Sequence, residues 1–479
     1  MDRKSIFFFF CVLALAHCTY IQELKDFVNN APDAVIDNFI NTKVDDAQKL
    51  NVDPIMFEGQ LLDHYNLLDK RTWSQRYWQY DHFFDSKEGT VLMYVCGEYV
   101  CPGLPQDRTW PGILAKTFKS RVYVLEHRFY GESQPFENES SKDGWDVDNL
   151  RYLTIEQALA DLAIFVATKR AEVASQYGFE PKWFVVGGSY PGALSAWFRT
   201  LYPQLVDASL ASSAVVNAIA DYPQFDRQVR QSLLKSSQNC ADNVRDISNF
   251  AEFMLNNSPE TKAQIKKMFK AENLQDTQFL FYVADIMAQR VQYASRTAMC
   301  DAIEADSFKD SFNQAIKFLE DTGYLNATTY DFDYLKDTKS YTDRDSRQWW
   351  WQKCLQVGFL QTADKEEPER STTIDIQFKK QWCADLFGQG IEPNQDITNT
   401  MLQGAHNEGT KIIFTNGGED PWQWASLHKA NNDEQIPMVI HCDDCAHCVD
   451  LVTPKPTDAA TLKAARRETL KKLTDWLQQ

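Results

Sequence analysis

VVGGSYPGALSAWFR, Val185–Arg199, carries the reading of the whole chain. A β-branched run ends in two glycines, a serine follows, and from Tyr190 onward the pattern turns helical. A strand that turns this tightly into a helix pushes the turn residue's side chain out above the sheet's carboxyl edge, which is the nucleophile elbow. Gly187 and Gly188 let neighbouring backbones approach closely. Pro191 stands where the G-x-S-x-G pattern has its last glycine. Proline is tolerable there because the first helical turn has spare N–H groups and wants φ of about −65°. The hydroxyl on this hinge belongs to Ser189, and the N–H expected to help bind an oxyanion belongs to Tyr190.

Outward from the elbow, short apolar runs alternate with helical patterns. Thr90–Cys96, Arg121–Phe129, Lys182–Gly188 and Ala208–Val216 read as buried strands bounded by Gly or Pro. Between them, Ile155, Ala158, Leu159, Leu162, Phe165 and Val166 recur at three- and four-residue spacing. This alternation predicts a parallel sheet covered on both faces. From about Ala218 to Asn407 the strand signal fades into helical, polar sequence. Strands resume with Lys411–Gly418 and Ile436–Cys442, and a closing helix carries Leu462, Leu470, Leu473 and Leu477 on one face. One α/β domain interrupted by a helical insertion accounts for this order, since strands on both sides of the insertion are needed to finish one sheet.

A serine hydroxyl is a weak nucleophile and needs a base oriented by a carboxylate. In this fold class the order along the chain is Ser, then Asp or Glu, then His. Asp420 lies just past the strand in IIFTNGGEDPW and is the expected acid, with Glu419 as its neighbour and competitor. His447 in HCDDCAHCVD follows the last strand and is the expected base, favoured over His441; His428 sits in a segment that reads as helix.

The chain has 479 residues, 44% apolar and 13% aromatic, enough for a sizeable buried core. Its formal net charge of −18 argues against nucleic acid and anionic membrane as partners. Arg3 and Lys4 followed by the apolar run Ile6–Ala16 read as a signal peptide over residues 1–18, with no membrane segment after its cleavage. Secretory entry predicts disulfides among Cys96, Cys101, Cys240, Cys300, Cys354, Cys383, Cys442, Cys445 and Cys448, with the pairing left open. Asn138, Asn256 and Asn326 are glycosylation sequons. The cluster Cys442, Cys445, His447, Cys448 has the residue types of a zinc site, but behind a signal peptide disulfides are the better reading, so neither metal nor cofactor is expected.

GGSYPGALSAWFR, NGGEDPW and AHCVDL together resemble the prolyl-carboxypeptidase-like family of serine peptidases, and LDHYN, SQRYW, LEHRFYGES and CLQVGFLQT extend the likeness over nearly the whole mature chain. The resemblance implies an α/β-hydrolase core in two parts, residues 45–217 and 408–479, around a helical cap at 218–407. It implies a lysosomal or secreted exopeptidase that hydrolyses peptides next to proline, with Ser189 as nucleophile, Asp420 as acid and His447 as base. Trp422 matches a residue the family uses to wall the proline pocket. Four departures bear on substrate choice: Pro191; Ala193 in place of a larger apolar residue, which suggests a wider pocket; Gln356 in place of glutamate; and the CGEYVC loop, whose Gly97–Glu98 backbone is the expected second oxyanion donor. Carboxypeptidase and dipeptidyl peptidase modes, and a monomer or a homodimer, stay open. An esterase or lipase with the same triad, or an inactive binding protein of the same fold, are the rival readings.

RQWWWQKC, Arg347–Cys354, reads as cap core rather than a nucleic-acid surface, and Glu126, Arg128 and Glu132 read as a buried ion-pair group rather than catalytic carboxylates.

Overall fold

The computed structural model describes residues 20–47, 50–136 and 143–479. The signal-peptide segment and the Asn138 sequon lie outside the described residues. An eight-stranded sheet forms the centre, in the order β1-β2-β4-β3-β5-β6-β9-β10. Its strands are β1 (Ile55–Leu61), β2 (Thr72–Tyr80), β3 (Val91–Val95), β4 (Arg121–Leu125), β5 (Trp183–Gly188), β6 (Ala208–Ser212), β9 (Ile412–Gly417) and β10 (Gln435–Ile440). From β4 through β3, β5, β6 and β9 to β10 every pairing is parallel. The strands β3, β4, β5, β6 and β9 are buried along their full length, as a sheet with both faces covered requires.

Side chains alternate between two cores, following the period of two along each strand. Val91, Met93, Val185 and Phe414 enter one core; Leu92, Tyr94, Val186 and Ile413 enter the other. The closing helix Ala460–Gln478 brings Leu470, Leu473 and Leu477 to the second core, while its Leu462 joins a small satellite with Ile440 and Cys445. The helix Ile155–Tyr177 covers the first face. Thr154 caps its start by accepting from the Gln157 N–H, and Gly178 ends it at a φ of 72°.

The edge hairpin β1–β2, antiparallel within itself and against β4, was not among the strands expected from sequence. Its buried polar residues mask the strand pattern. Gln60 Nε2 donates to Gln75 Oε1 at 2.8 Å, and Arg76 pairs with Glu126, each pair wholly or largely buried.

Between β6 and β9 the chain leaves the sheet and returns, and the returning strand pairs in parallel with the departing one. The excursion is mostly helical, with a short parallel pair joining β7 (Ile219–Asp221) to β8 (Gly358–Leu360). Cys240–Cys300 and Cys354–Cys383 staple it. Phe281, Trp350 and Trp382 of this segment belong to the same continuous core as Val185 and Trp183 of the sheet. No helix among the described residues is long and apolar enough to cross a membrane.

Candidate active site

Ser189 closes β5 and precedes the helix Tyr190–Leu201, with φ 67° and ψ −129°. A side chain larger than glycine rarely holds a positive φ, and such strain persists only where surroundings over-determine it. Here the Ser189 N–H donates to the Ser212 carbonyl at 2.8 Å, and its own carbonyl accepts from Ala193 at 3.0 Å. A Cβ on Gly188 would meet the Cys448 sulfur at 2.9 Å, and one on Gly187 would meet the Pro191 carbonyl oxygen at 2.2 Å. The two glycines are what let the hinge fold so closely against its neighbours.

Tyr190 is the first helical residue, so its N–H has no acceptor within the helix. The loop after β3 lies directly against this helix start. A Cβ on Gly97 would stand 2.5 Å from the Pro191 ring. Glycine in the loop and proline in the elbow are therefore complementary shapes, which accounts locally for the departure at Pro191. The Tyr190 ring is anchored beyond the elbow: its hydroxyl lies 3.1 Å from His127 Nε2 and accepts from Gln352 Nε2 at 2.9 Å. Burial lowers the pKa of His127 to about 4, and its Nδ1 faces the Arg128 carbonyl at 2.8 Å. The proton thus sits on Nδ1, and the Tyr190 hydroxyl donates to Nε2.

Asp420 and His447 meet although they follow different strands. His447 Nδ1 lies 2.8 Å from Asp420 Oδ2, and the other carboxylate oxygen accepts from the Trp422 N–H at 2.9 Å. Both side chains are buried. The His447 N–H donates to the carbonyl of Gln292, at the end of the insertion helix Asp276–Gln292, so the insertion holds the histidine loop from above. The disulfide Cys442–Cys445 ties the loop just before it. Burial by itself lowers the pKa of the imidazole. The Asp420 carboxylate and the neighbouring Cys448 thiol outweigh it and push the value up.

Ser189 and His447 line one cavity of about 310 Å³ with Glu98, Arg108 and Tyr293. No hydrogen bond joins the serine hydroxyl to the imidazole, a looseness common in unliganded sites that tighten around substrate. A second cavity of about 280 Å³, sharing Glu98 and Tyr293, continues into the insertion between Asp285, Asp345, Trp349 and Lys353. Burial raises the pKa of Glu98 to about 7, and its Oε2 has no hydrogen-bond partner among the described residues.

The remaining sequence candidates fall elsewhere. Glu419 is turned away from His447 and bound by Arg296 of the insertion at 2.8 Å. His441 is exposed, and His428 stacks on Trp424 with its Nε2 2.8 Å from the Gln423 carbonyl. Glu126 and Glu132 both pair with Arg76, while Arg128 pairs with Asp161. The ionic group read in LEHRFYGES is thus two separate clusters whose partners come from other elements. Trp422 packs against Tyr222, Phe225 and Phe359. Ala193 is fully buried and lines neither cavity, so its small side chain does not widen the space beside Ser189. Gln356 accepts from the Ile155 N–H and donates to Glu156, tying the insertion to the long helix. Trp350 and Trp351 are buried in the core, and Trp349 and Trp350 both line the second cavity. Asn256 and Asn326 are exposed.

With this geometry in view, comparison with known proteins is decisive. The family model for serine carboxypeptidase S28 matches residues 60–469. The chain belongs to the serine carboxypeptidase S28 family. It is therefore a serine peptidase of that family, built on an α/β-hydrolase fold. This S28 chain is similar to a probable serine protease EDA2 of Arabidopsis thaliana, 36% identical over 408 residues, 82% of this chain and 80% of that protein. It is also similar to the human thymus-specific serine protease, at 27% identity over 87% of this chain and 85% of that one. Lysosomal Pro-X carboxypeptidase of Mus musculus is 26% identical over 88% of this chain and 89% of that protein.

Two residues in this S28 site were not singled out in the sequence. Arg108 follows a loop whose composition signals only a turn. Cys448 was grouped with the paired cysteines, yet it is free and buried against the elbow, next to His447 in sequence. The spacing Cys442, Cys445, Cys448 offers two equivalent short bridges, and only the fold chooses between them.

Proposed function

We propose that this chain is a serine exopeptidase that hydrolyses peptides next to proline through Ser189, His447 and Asp420. The buried His447–Asp420 pair facing the same cavity as Ser189 is the observation that carries the reading. Ser189 attacks the scissile carbonyl carbon while His447 Nε2 takes its proton. Asp420 holds the Nδ1–H tautomer and stabilises the imidazolium that forms. The N–H groups of Tyr190 and of the Gly97–Glu98 loop receive the oxyanion, each worth roughly 3–4 kcal/mol. His447 then protonates the leaving amine, and water, activated by the same imidazole, hydrolyses the acyl-enzyme.

The preference for proline rests on Trp422. It matches the pocket residue of the family resemblance; its backbone N–H fixes Asp420, and its ring packs on Tyr222, Phe225 and Phe359 two residues from the acid, outside the lining of the two cavities. The name of the mouse relative, a Pro-X carboxypeptidase, points the same way. The core in two parts, 45–217 and 408–479, the cap at 218–407, glycosylation at the sequons and residence in a lysosome-like or extracellular compartment complete the proposal. It is supported by four disulfides among the described residues and by the exposed Asn256 and Asn326.

Ser189→Ala should lower kcat against a proline-containing peptide by at least about a thousandfold. It should also abolish labelling by a fluorophosphonate. Turnover within tenfold of wild type would remove the serine from the mechanism.

A further inference from the structure

The cavity that holds Ser189 and His447 contains one guanidinium without a carboxylate partner, its strongest electrostatic neighbour being the Cys448 thiol. Arg108 lines it, yet among the described residues it makes no hydrogen bond and no ion pair. Other buried arginines of the chain are committed to carboxylates: Arg76 to Glu126, Arg128 to Asp161, Arg296 to Glu419. The carboxylates that share its cavity, Glu98 and Asp107, both lie beyond ion-pair distance from it. Arg108 is also held in place. The carbonyl of Asp107 accepts from the Thr453 N–H and hydroxyl, and the helix Trp110–Thr117 begins two residues after the arginine.

A permanently charged, five-donor fork that is partly desolvated and unpaired is suited to a carboxylate, which it grips through two parallel hydrogen bonds. The position limits which carboxylate. In a peptide with one residue beyond the scissile bond, the terminal carboxylate lies only about one residue length, roughly 3.5 Å, past the reacting carbon. Its anchor must therefore stand in the nucleophile's own cavity, as Arg108 does, and not in the chamber beyond. Glu98 does not cancel this charge at acidic pH, because burial keeps it protonated up to about 7.

We propose that Arg108 binds the free α-carboxylate of the substrate's last residue, so that this enzyme releases single carboxy-terminal amino acids. The proposal rests on the serine-peptidase reading above. A dipeptidyl peptidase would instead need a carboxylate to grip a free amino terminus, and Glu98 is the group in this cavity that could serve; that is the rival outcome.

The test uses the mature enzyme and three substrates: an amino-blocked peptide ending in Pro-Phe as its free acid, the same peptide as its carboxy-terminal amide, and an unblocked Xaa-Pro anilide. Wild type should prefer the acid over the amide by about 10- to 100-fold in kcat/KM, the range for a hydrogen-bonded charge. In Arg108→Gln this ratio should collapse towards one, chiefly through KM for the acid, and Arg108→Lys should restore part of it. Fluorophosphonate labelling of Ser189 in each variant shows that the fold and the nucleophile survive; if Arg108→Gln is not labelled, the Arg108→Lys ratio decides. An acid-to-amide ratio that is already near one in wild type, or that survives in Arg108→Gln, overturns the proposal, as does turnover of the unblocked anilide alone. Absence of both labelling and turnover in wild type would instead remove the serine-peptidase reading on which it rests.

Discussion

His447 sits between two groups that raise its pKa, Asp420 at 2.8 Å and the free Cys448 thiol that follows it in sequence. The thiol is itself perturbed. Burial raises its pKa, but His447 and Arg108 more than offset that and bring it down. In the proposed mechanism the imidazole must be neutral to accept the serine proton, so its raised pKa would move the loss of activity on acidification to higher pH. Cys448→Ala removes one of the raising influences. The acid limb of the kcat/KM profile should then move to lower pH, while the reacting hydroxyl and the Asp420 contact are untouched. A limb that stays in place, or moves up, would show that the thiol does not act on the imidazole. Asp420→Asn should leave the fold intact and lower kcat by roughly 10⁴-fold, because the imidazole then takes the wrong tautomer.

At the scale of elements, the site depends on the loop after β3 lying flat against the start of the elbow helix. Gly97 and Pro191 fit each other there, and a methyl at Gly97 has no room. Gly97→Ala should push the loop from the elbow and reduce kcat by about tenfold or more, since roughly 1 Å of misplacement is enough for such a loss. Pro191→Gly removes the ring atoms in the way, so the double variant should recover much of the rate. A double variant as slow as Gly97→Ala alone would refute the fit. This pairing could not be read locally. The elbow was legible because its residues are adjacent, whereas Gly97 and Pro191 come together only when β3 pairs with β5. The hairpin β1–β2 was illegible for a related reason. Gln75 and Arg76 look like solvent-facing residues until Gln60 and Glu126 arrive from other strands.

Over the whole molecule, buried acids set the pH dependence of stability. Glu98 and Glu369 are each raised by burial from 4.5 to about 7. Glu126, Asp345 and Asp450 are raised for the same cause. Across that window the folded chain keeps protons that the unfolded chain has released, so stability falls as pH rises. His127, lowered by burial from 6.5 to about 4, acts in the opposite sense, as do Lys353, lowered to about 8, Lys379 and Cys448 towards the alkaline end, while His447, raised, acts with the acids. Below the ordinary carboxylate range the direction reverses. Hydrogen bonds from Arg71 hold Asp69 down at about 2, and those from Gln238 and Arg230 lower Asp242, so their contribution is lost on acidification. The Tm should therefore be higher near about pH 5 than near about pH 8, and Glu369→Gln should narrow that gap. Thermal unfolding that is more favourable to the native state at the higher pH would contradict the burial of these groups.

Adjacent residues were enough to determine the elbow at Ser189, the strand–helix alternation and the long interruption before Ile412, because each depends on spacing along the chain. Tertiary structure supplies the reason why Asp420, the acid expected from the sequence, and not Glu419 meets the histidine: Arg296, more than a hundred residues upstream, takes Glu419 and leaves Asp420 to His447. It also decided which cysteine stays free, which arginine is left without a carboxylate beside Ser189, and that the insertion shares the sheet's core. Those outcomes are set by charge pairing and close packing between distant segments, and neither leaves a periodic mark on the sequence.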